Sequence, residues 1–273
     1  MANYSDYTFF EVEKRDRVAV LFLNRPEKKN LMTWSFWGYL REVVGLLEAD
    51  DEVRAVVVAG KGECFSAGMD FKDFFVQFGA LFQEHHADNR EKFYKKILLM
   101  QEGFERIAQG EKPYIAAVHG YCIGGGLDLI AACDIRIGCE NAVVSLREAK
   151  VAIVADMGSL QRLPGIIGQG RTRLMAFTGA DYDAQTCFRF GLFDELCPTP
   201  ERTLERAVEL ARQIAANPAG AVRGTKHMLN HAWSHGPEEG MKYVAAWNAA
   251  FLDSLDFRET VASFLEKRPP KYS

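Results

Sequence analysis

Two short runs of the chain are almost continuously apolar and rich in β-branched residues: Arg17 to Asn24 (RVAVLFLN) and Val53 to Gly60 (VRAVVVAG). Each ends in turn-forming residues, the pattern of a strand covered on both faces. Between them Leu40, Val43, Val44 and Leu47 recur at the spacing of one helix face, so the order predicts a βαβ unit. Tyr114 to His119 (YIAAVH), followed by the Ala- and Leu-rich segment from Leu127 to Cys133, repeats the alternation of strand and helix. The first two-thirds therefore reads as α/β. Phe93, Ile97, Met100, Phe104 and Ile107 predict a helix that Lys112-Pro113 stops.

Beyond about Pro200 the strand pattern disappears. Leu204, Val208, Ala211 and Ala215 predict one helix, and Val222, Lys226, Leu229 and Trp233 a second. Val244, Trp247, Phe251 and Leu255 predict a third after Gly236-Pro237. Such a tail carries more apolar surface than a thin helical layer buries alone, which predicts packing on the α/β body or on another copy of the chain. The sequence shows no internal repeat and no low-complexity linker.

Composition narrows the function classes. The chain has 273 residues, 48% hydrophobic and 26% charged, enough for a large core. With 33 Lys and Arg against 37 Asp and Glu the net charge is −4, and no basic stripe interleaved with aromatics offers nucleic acid a footing. No apolar run reaches the roughly 18 residues of a membrane span. Met1 to Tyr7 lacks the basic and then apolar stretch of a signal peptide, and Lys271-Tyr272-Ser273 is not a peroxisomal address, so a cytoplasmic protein is expected. Cys64, Cys122, Cys133, Cys139, Cys187 and Cys197 form no C-x-x-C pair and read as reduced, buried thiols.

Two glycine-bearing segments each follow a predicted strand. Gly60 to Asp70 (GKGECFSAGMD) leaves the second, and His119 to Asp128 (HGYCIGGGLD) leaves the YIAAV strand and opens a helix. Small residues admit a ligand close to the backbone, and a helix start supplies free N–H donors; two such donors converging on one oxygen would make an oxyanion hole. Taken alone, the triple glycine reads more readily as close packing of a helix on a strand. Neither segment matches a nucleotide-phosphate fingerprint, and Cys64 to Gly68 (CFSAG) lacks the first glycine of a nucleophile elbow. Asp128 falls in the first turn of the predicted helix, and Glu148 and Asp156 lie in REAKVAIVADMG. Each has an ordinary explanation as a cap or turn residue. His227, His231 and His235 share one helix face, yet no carboxylate or thiol completes a metal set, and they read as an exposed face. His85-His86 reads as a surface loop or helix end.

Together these segments resemble the crotonase, or enoyl-CoA hydratase/isomerase, superfamily over nearly the whole chain. Asn24 to Asn30 (NRPEKKN) is similar to its N-terminal turn, Phe65 to Asp70 (FSAGMD) to its first oxyanion loop and Gly120 to Asp128 to its second. Ala132 to Arg136 (ACDIR), Gln161 to Pro164 (QRLP) and Phe264 to Arg268 (FLEKR) follow in the family's order. Hydratases of the family typically place Glu at the positions of Asp128 and Glu148 and Gly at that of Asp156. The set Asp128, Glu148 and Asp156 instead resembles the branch that converts 3,5-dienoyl-CoA to 2,4-dienoyl-CoA, as does Lys242 to Asn248 (KYVAAWN).

The resemblance implies a crotonase-like ββα spiral core over residues 1–200 and a helical C-terminal region over 201–273 used for trimerisation, as a homotrimer or a dimer of trimers. It implies an acyl-CoA substrate of fatty acid β-oxidation, with coenzyme A part of the substrate and no separate cofactor or metal. The thioester oxygen would sit between the N–H groups of Met69 and Gly125, with Ala67, Gly68, Asp70, Phe71 and Gly126 lining the CoA path. By its family position Glu148 is assigned to C2 and Asp156 to C6, the reverse order being the alternative, and Asp128 would tune or orient the pair. Alternatives are a 2-enoyl-CoA hydratase or 3-enoyl-CoA isomerase of the same family, a serine hydrolase acting through Ser66, and a non-catalytic CoA-binding scaffold.

Overall fold

The structure, a computed structural model, describes residues 4, 6–83 and 87–273. His85 and His86 lie outside the described residues. Strand β1 (Phe10–Arg15) turns back into β2 (Val18–Leu23), and helix α1 (Trp34–Ala49) crosses to β3 (Ala55–Gly60). Helices α2 (Phe71–Gln83) and α3 (Ala87–Gln109) lead to β4 (Tyr114–Val118), and the short β5 (Tyr121–Ile123) leads to α4 (Gly125–Ala132). The body continues through β6 (Ile135–Cys139), β7 (Val143–Ser145), α5 (Ser159–Ile167), α6 (Gln169–Thr178), β8 (Tyr182–Asp183), α7 (Ala184–Phe190) and β9 (Glu195–Cys197). Four helices follow: α8 (Pro200–Ala215), α9 (Ala219–His235), α10 (Pro237–Phe251) and α11 (Leu255–Glu266).

The main sheet runs β1-β2-β3-β4-β6-β9; β1 pairs antiparallel with β2 and every other neighbour is parallel. A small second sheet, β5-β7-β8, branches off where β4 ends. The continuous apolar runs are explained by burial on both faces. Ala19, Leu21, Leu23, Val56 and Val58 face the large core under α1, α3 and α4. Val18, Val20, Phe22, Ala55, Val57 and Ala59 face Ala207, Val208, Ala211 and Ala215 of α8. Burial of each larger aliphatic side chain stabilises the fold by about 1.5–3 kcal/mol. The helix α8 that opens the C-terminal region is thus the second cover of the sheet.

Beyond α8, one buried cation ties the tail to the body. Lys226 of α9 is 6% exposed, and its Nζ donates to the Ile107 and Lys112 carbonyls at 2.8 and 2.9 Å and to Asp134 Oδ2 at 2.9 Å. Asp134 Oδ2 in turn accepts the Tyr114 N–H at 2.7 Å, so the tether reaches the start of β4. Helix α10 folds back along α9: Gly240 packs on Ala232, and Trp247 on Gly224. The histidine face of α9 is exposed at His227 and His235, as expected, and partly covered at His231. His227 bonds the Tyr243 hydroxyl at 2.9 Å, and His231 packs on the same ring, while His231 and His235 stack on each other. Leu255 does not extend the third C-terminal helix but opens a fourth, because the Ser254 side chain accepts the Phe257 N–H and caps a new start.

Replacing Lys226 with Met keeps the stem's packing but leaves the buried Ile107 and Lys112 carbonyls without this donor and breaks the ion pair with Asp134. Lys226→Met should lower the unfolding free energy by about 3 kcal/mol in urea denaturation. An unchanged midpoint would show that the tether carries no load.

Candidate active site

The loop that leaves β3 is held from beneath by the N-terminal turn. Asn30, fully buried with φ +51, accepts the Arg25 N–H at 2.9 Å through its side-chain oxygen. Its amide nitrogen donates toward the carbonyls of Lys61, Cys64 and Phe65 at 3.0, 2.9 and 3.0 Å. The Ser66 hydroxyl, also fully buried, donates to the Asn30 carbonyl at 2.9 Å and accepts the Gly68 N–H at 3.1 Å. Ser66 is thereby committed to the loop, which leaves the hydrolase alternative without an exposed nucleophile.

The next residues turn one N–H outward. Met32 donates to the Gly68 carbonyl at 2.8 Å and accepts from the Asp70 N–H at 2.9 Å, a parallel bridge around Met69. In such a bridge the N–H of the central residue points to the opposite side. Gly68 at φ +92 lies so close to β5 that an added Cβ would stand 2.9 Å from the Ile123 carbonyl. On that neighbouring segment Gly124, at φ +52, donates to the Ser145 carbonyl at 3.0 Å, and Gly125 opens α4. The first N–H groups of a helix have no intrahelical acceptor. Among the described residues, neither the Met69 nor the Gly125 N–H has an acceptor.

The three consecutive glycines serve different ends. An added Cβ at Gly125 would stand 2.7 Å from Met32 Sδ, and one at Gly126 3.2 Å from Ser66 Cβ, which is the close packing that their sequence predicts. At Gly124 the nearest atom is Glu148 Oε1, at 3.0 Å. That glycine makes room for a carboxyl group.

The structure brings all three sequence-predicted carboxylates into one electrostatic neighbourhood. Glu148 follows β7 at the head of a one-turn 3₁₀ segment, and its Oε2 is buried with no hydrogen-bond partner among the described residues. Burial, reinforced by the negative charges of Asp128 and then Asp156, pushes its carboxyl up to about 7. Asp128, on the inner side of α4 and 1% exposed, accepts the Ser159 N–H at 2.8 Å and the Ser159 hydroxyl, both at Oδ1. Burial raises it to about 6, against the pull of the Ser159 donors. Asp156 lies half-buried just before α5; burial raises its carboxyl as well, opposed by its own backbone N–H. Its carbonyl accepts Gln101 Nε2 at 2.6 Å.

The residues expected to line the CoA path differ in exposure. Ala67 and Phe71 keep part of their surface open, whereas Gly126 is buried against Ser66. The Asp70 carboxylate faces its own loop: it pairs with Arg25 Nη1 at 2.8 Å and accepts the Lys72 and Asp73 N–H groups at 3.1 and 3.2 Å, capping α2. The Arg25 guanidinium holds it below the usual carboxylate range. Sequence reasoning passed over Arg25, Asn30, Gln101 and Ser159 as site residues. Arg25 and Asn30 stand inside a quoted motif, but Gln101 and Ser159 carry no local signal because their partners are 55 and 31 positions away.

The two glycine loops thus leave N–H groups without acceptors near buried carboxyls, at the edge of a sheet that is parallel except at β1. The chain belongs to the enoyl-CoA hydratase/isomerase family, whose profile matches residues 13–273. It is 38% identical over 268 residues to a mitochondrial Δ(3,5)-Δ(2,4)-dienoyl-CoA isomerase of Dictyostelium discoideum, covering 97% of this chain and 92% of that one. It is 32% identical to the peroxisomal enzyme of the same name from Arabidopsis thaliana, over 100% and 99% of the two chains. The solved structure of an enoyl-CoA hydratase from Bacillus anthracis superposes with a TM-score of 0.86 at 28% identity, covering 97% of this chain and 98% of that one. No described helix is long and apolar enough to cross a membrane.

Because folding raises the Glu148 pKa from 4.5 to about 7, the native protein binds a proton that the unfolded chain gives up over that interval. The resulting stability is fully present below pH 4.5 and is lost as pH rises through about 7, a change of about 3 kcal/mol. Glu148→Gln should lack this component, so its unfolding free energy should gain on that of the wild type across the same range. Parallel stability curves for the two proteins would show that Glu148 is solvated.

Proposed function

We propose that this chain is a Δ(3,5)-Δ(2,4)-dienoyl-CoA isomerase, and that it moves a proton from C2 to C6 of a 3,5-dienoyl thioester in fatty acid β-oxidation. The observation that carries the reading is the buried, unpartnered Glu148 oxygen set among Asp128 and Asp156.

The C2 proton of such a thioester is acidic only when negative charge can move onto the carbonyl oxygen. The free N–H groups of Met69 and Gly125 form the proposed oxyanion hole, the latter aided by the positive end of α4. Glu148, ionised, takes the C2 proton; the electron pair spreads through the two double bonds to C6. Asp156, protonated, gives its proton there, and the double bonds come to rest at C2 and C4. Proton exchange with solvent returns Glu148 to carboxylate and Asp156 to acid. Two groups are needed because C2 and C6 are too far apart for one short side chain, and burial raises both carboxyls above the usual carboxylate range. The relay uses only carboxyl groups and main-chain donors, so no cofactor is required beyond the coenzyme A of the substrate. The same carboxylates could serve a 2-enoyl-CoA hydratase, but Asp128 is occupied by Ser159 and is shorter than the Glu that positions water.

The assembly belongs to the same reading: a homotrimer, or a dimer of trimers, built through the C-terminal helices. What supports it is the apolar surface they leave open, with Trp233 70%, Leu255 78% and Phe264 81% exposed.

Wild-type protein should convert a 3,5-dienoyl-CoA to a product with the strong ultraviolet absorbance of a conjugated thioester, and should hydrate a 2-enoyl-CoA weakly or not at all. Asp156→Asn should lower kcat by about a thousandfold or more while thioester binding stays nearly intact. Wild-type turnover in that variant would remove Asp156 from the relay.

A further inference from the structure

The turn that carries Asp156 is secured by side chains from three helices. From α3, Gln101 donates to the Asp156 carbonyl at 2.6 Å. From α5, Arg162 Nη1 donates to the Met157 carbonyl at 3.3 Å, while its Nη2 is held by Glu105 of α3. Gly158 follows at φ +114, a conformation suited to glycine, and an added Cβ there would run into the Arg162 guanidinium. From α4, Asp128 takes both the N–H and the hydroxyl of Ser159 on one oxygen.

These contacts are more than the start of α5 requires. One acceptor suffices to cap a helix, and a neutral Asn at position 128 would accept the same N–H without a carboxyl group being buried. Asp128 is 1% exposed and Ser159 is fully buried, whereas Asp156 retains open surface. Asp128 is therefore buried with its Oδ1 committed to Ser159.

We propose that Gln101 and Ser159 are positioning residues that fix the 156–159 turn so that the Asp156 carboxyl stays at the C6 end of the substrate, and that Asp128 acts on the reaction through Ser159 without touching the substrate. The inference rests on the function proposed above. It gives the orienting role of Asp128 a physical route: this residue supports the acid through its two bonds from Ser159.

The test compares wild type with Gln101→Leu and Ser159→Ala. A donor group is lost in each, and Leu is a good helix former at the half-buried α3 position. Misplacing the acid by a fraction of an ångström should lower kcat by about tenfold or more with KM little changed. Isotope effects separate this from general damage. When protonation at C6 becomes slower than abstraction at C2, the solvent isotope effect on kcat rises above the wild-type value, and that from deuterium at C2 does not. If the two effects keep their wild-type values while kcat falls, or if kcat is unchanged, the inference is wrong. Failure of the wild type on 3,5-dienoyl-CoA is a separate result that sinks the proposed function. Whatever the substrate, a crystal structure of Gln101→Leu with the 156–159 turn in its original place would overturn the positioning role.

Discussion

A carboxylate withdrawn from water loses hydration worth several kcal/mol unless the protein replaces it. At Glu148 the replacement is withheld: one oxygen is buried without a donor, and the nearby acids Asp128 and Asp156 add repulsion. The group answers by holding a proton more tightly, which brings a residue that is ordinarily a weak base into the range where it can take and return protons at neutral pH. Asp128 differs in having two donors from Ser159, which oppose the rise that burial causes. Unequal provision of donors is what distinguishes these neighbouring acids.

Such a site is costly in stability, and the surrounding scaffold offsets the cost. The loop beneath it is secured by Asn30 and Ser66, both fully buried and both bonded to main-chain groups. The Arg25 to Asp70 ion pair stiffens the far end of the same loop where it enters α2. Below these lies a sheet buried on both faces, one against the large core and the other against α8. Rigid support of this kind lets two main-chain N–H groups remain free, since a mobile loop would turn them toward any available carbonyl.

The C-terminal helices divide between support and surface. Helix α8 is part of the sheet's packing, and Lys226 anchors α9 by three hydrogen bonds, to the end of α3, to the segment before β4 and to Asp134 ahead of β6. The apolar residues left outward on α9, α10 and α11 belong to a surface that the single chain does not cover.

Local pattern determined much of this protein. The runs at 18–23 and 55–60 are strands because they are apolar at every position, and the Leu40 to Leu47 stripe is a helix because its period is that of one. Ordered motifs marked both glycine loops and the three carboxylates. Helix α2 went unread although Phe71, Phe74, Phe75, Phe78 and Phe82 recur at the spacing of one helix face, and the pattern ran α10 through Leu255, where Ser254 starts a new helix. It was silent on which glycine makes room for Glu148, on the commitment of Ser66 and Asp70 to the loop itself, and on the tie from Gln101 to Asp156. The physical reason is one of range: periodicity and capping act between residues a few positions apart, whereas desolvation and hydrogen bonding depend on whichever groups the folded chain places around an atom.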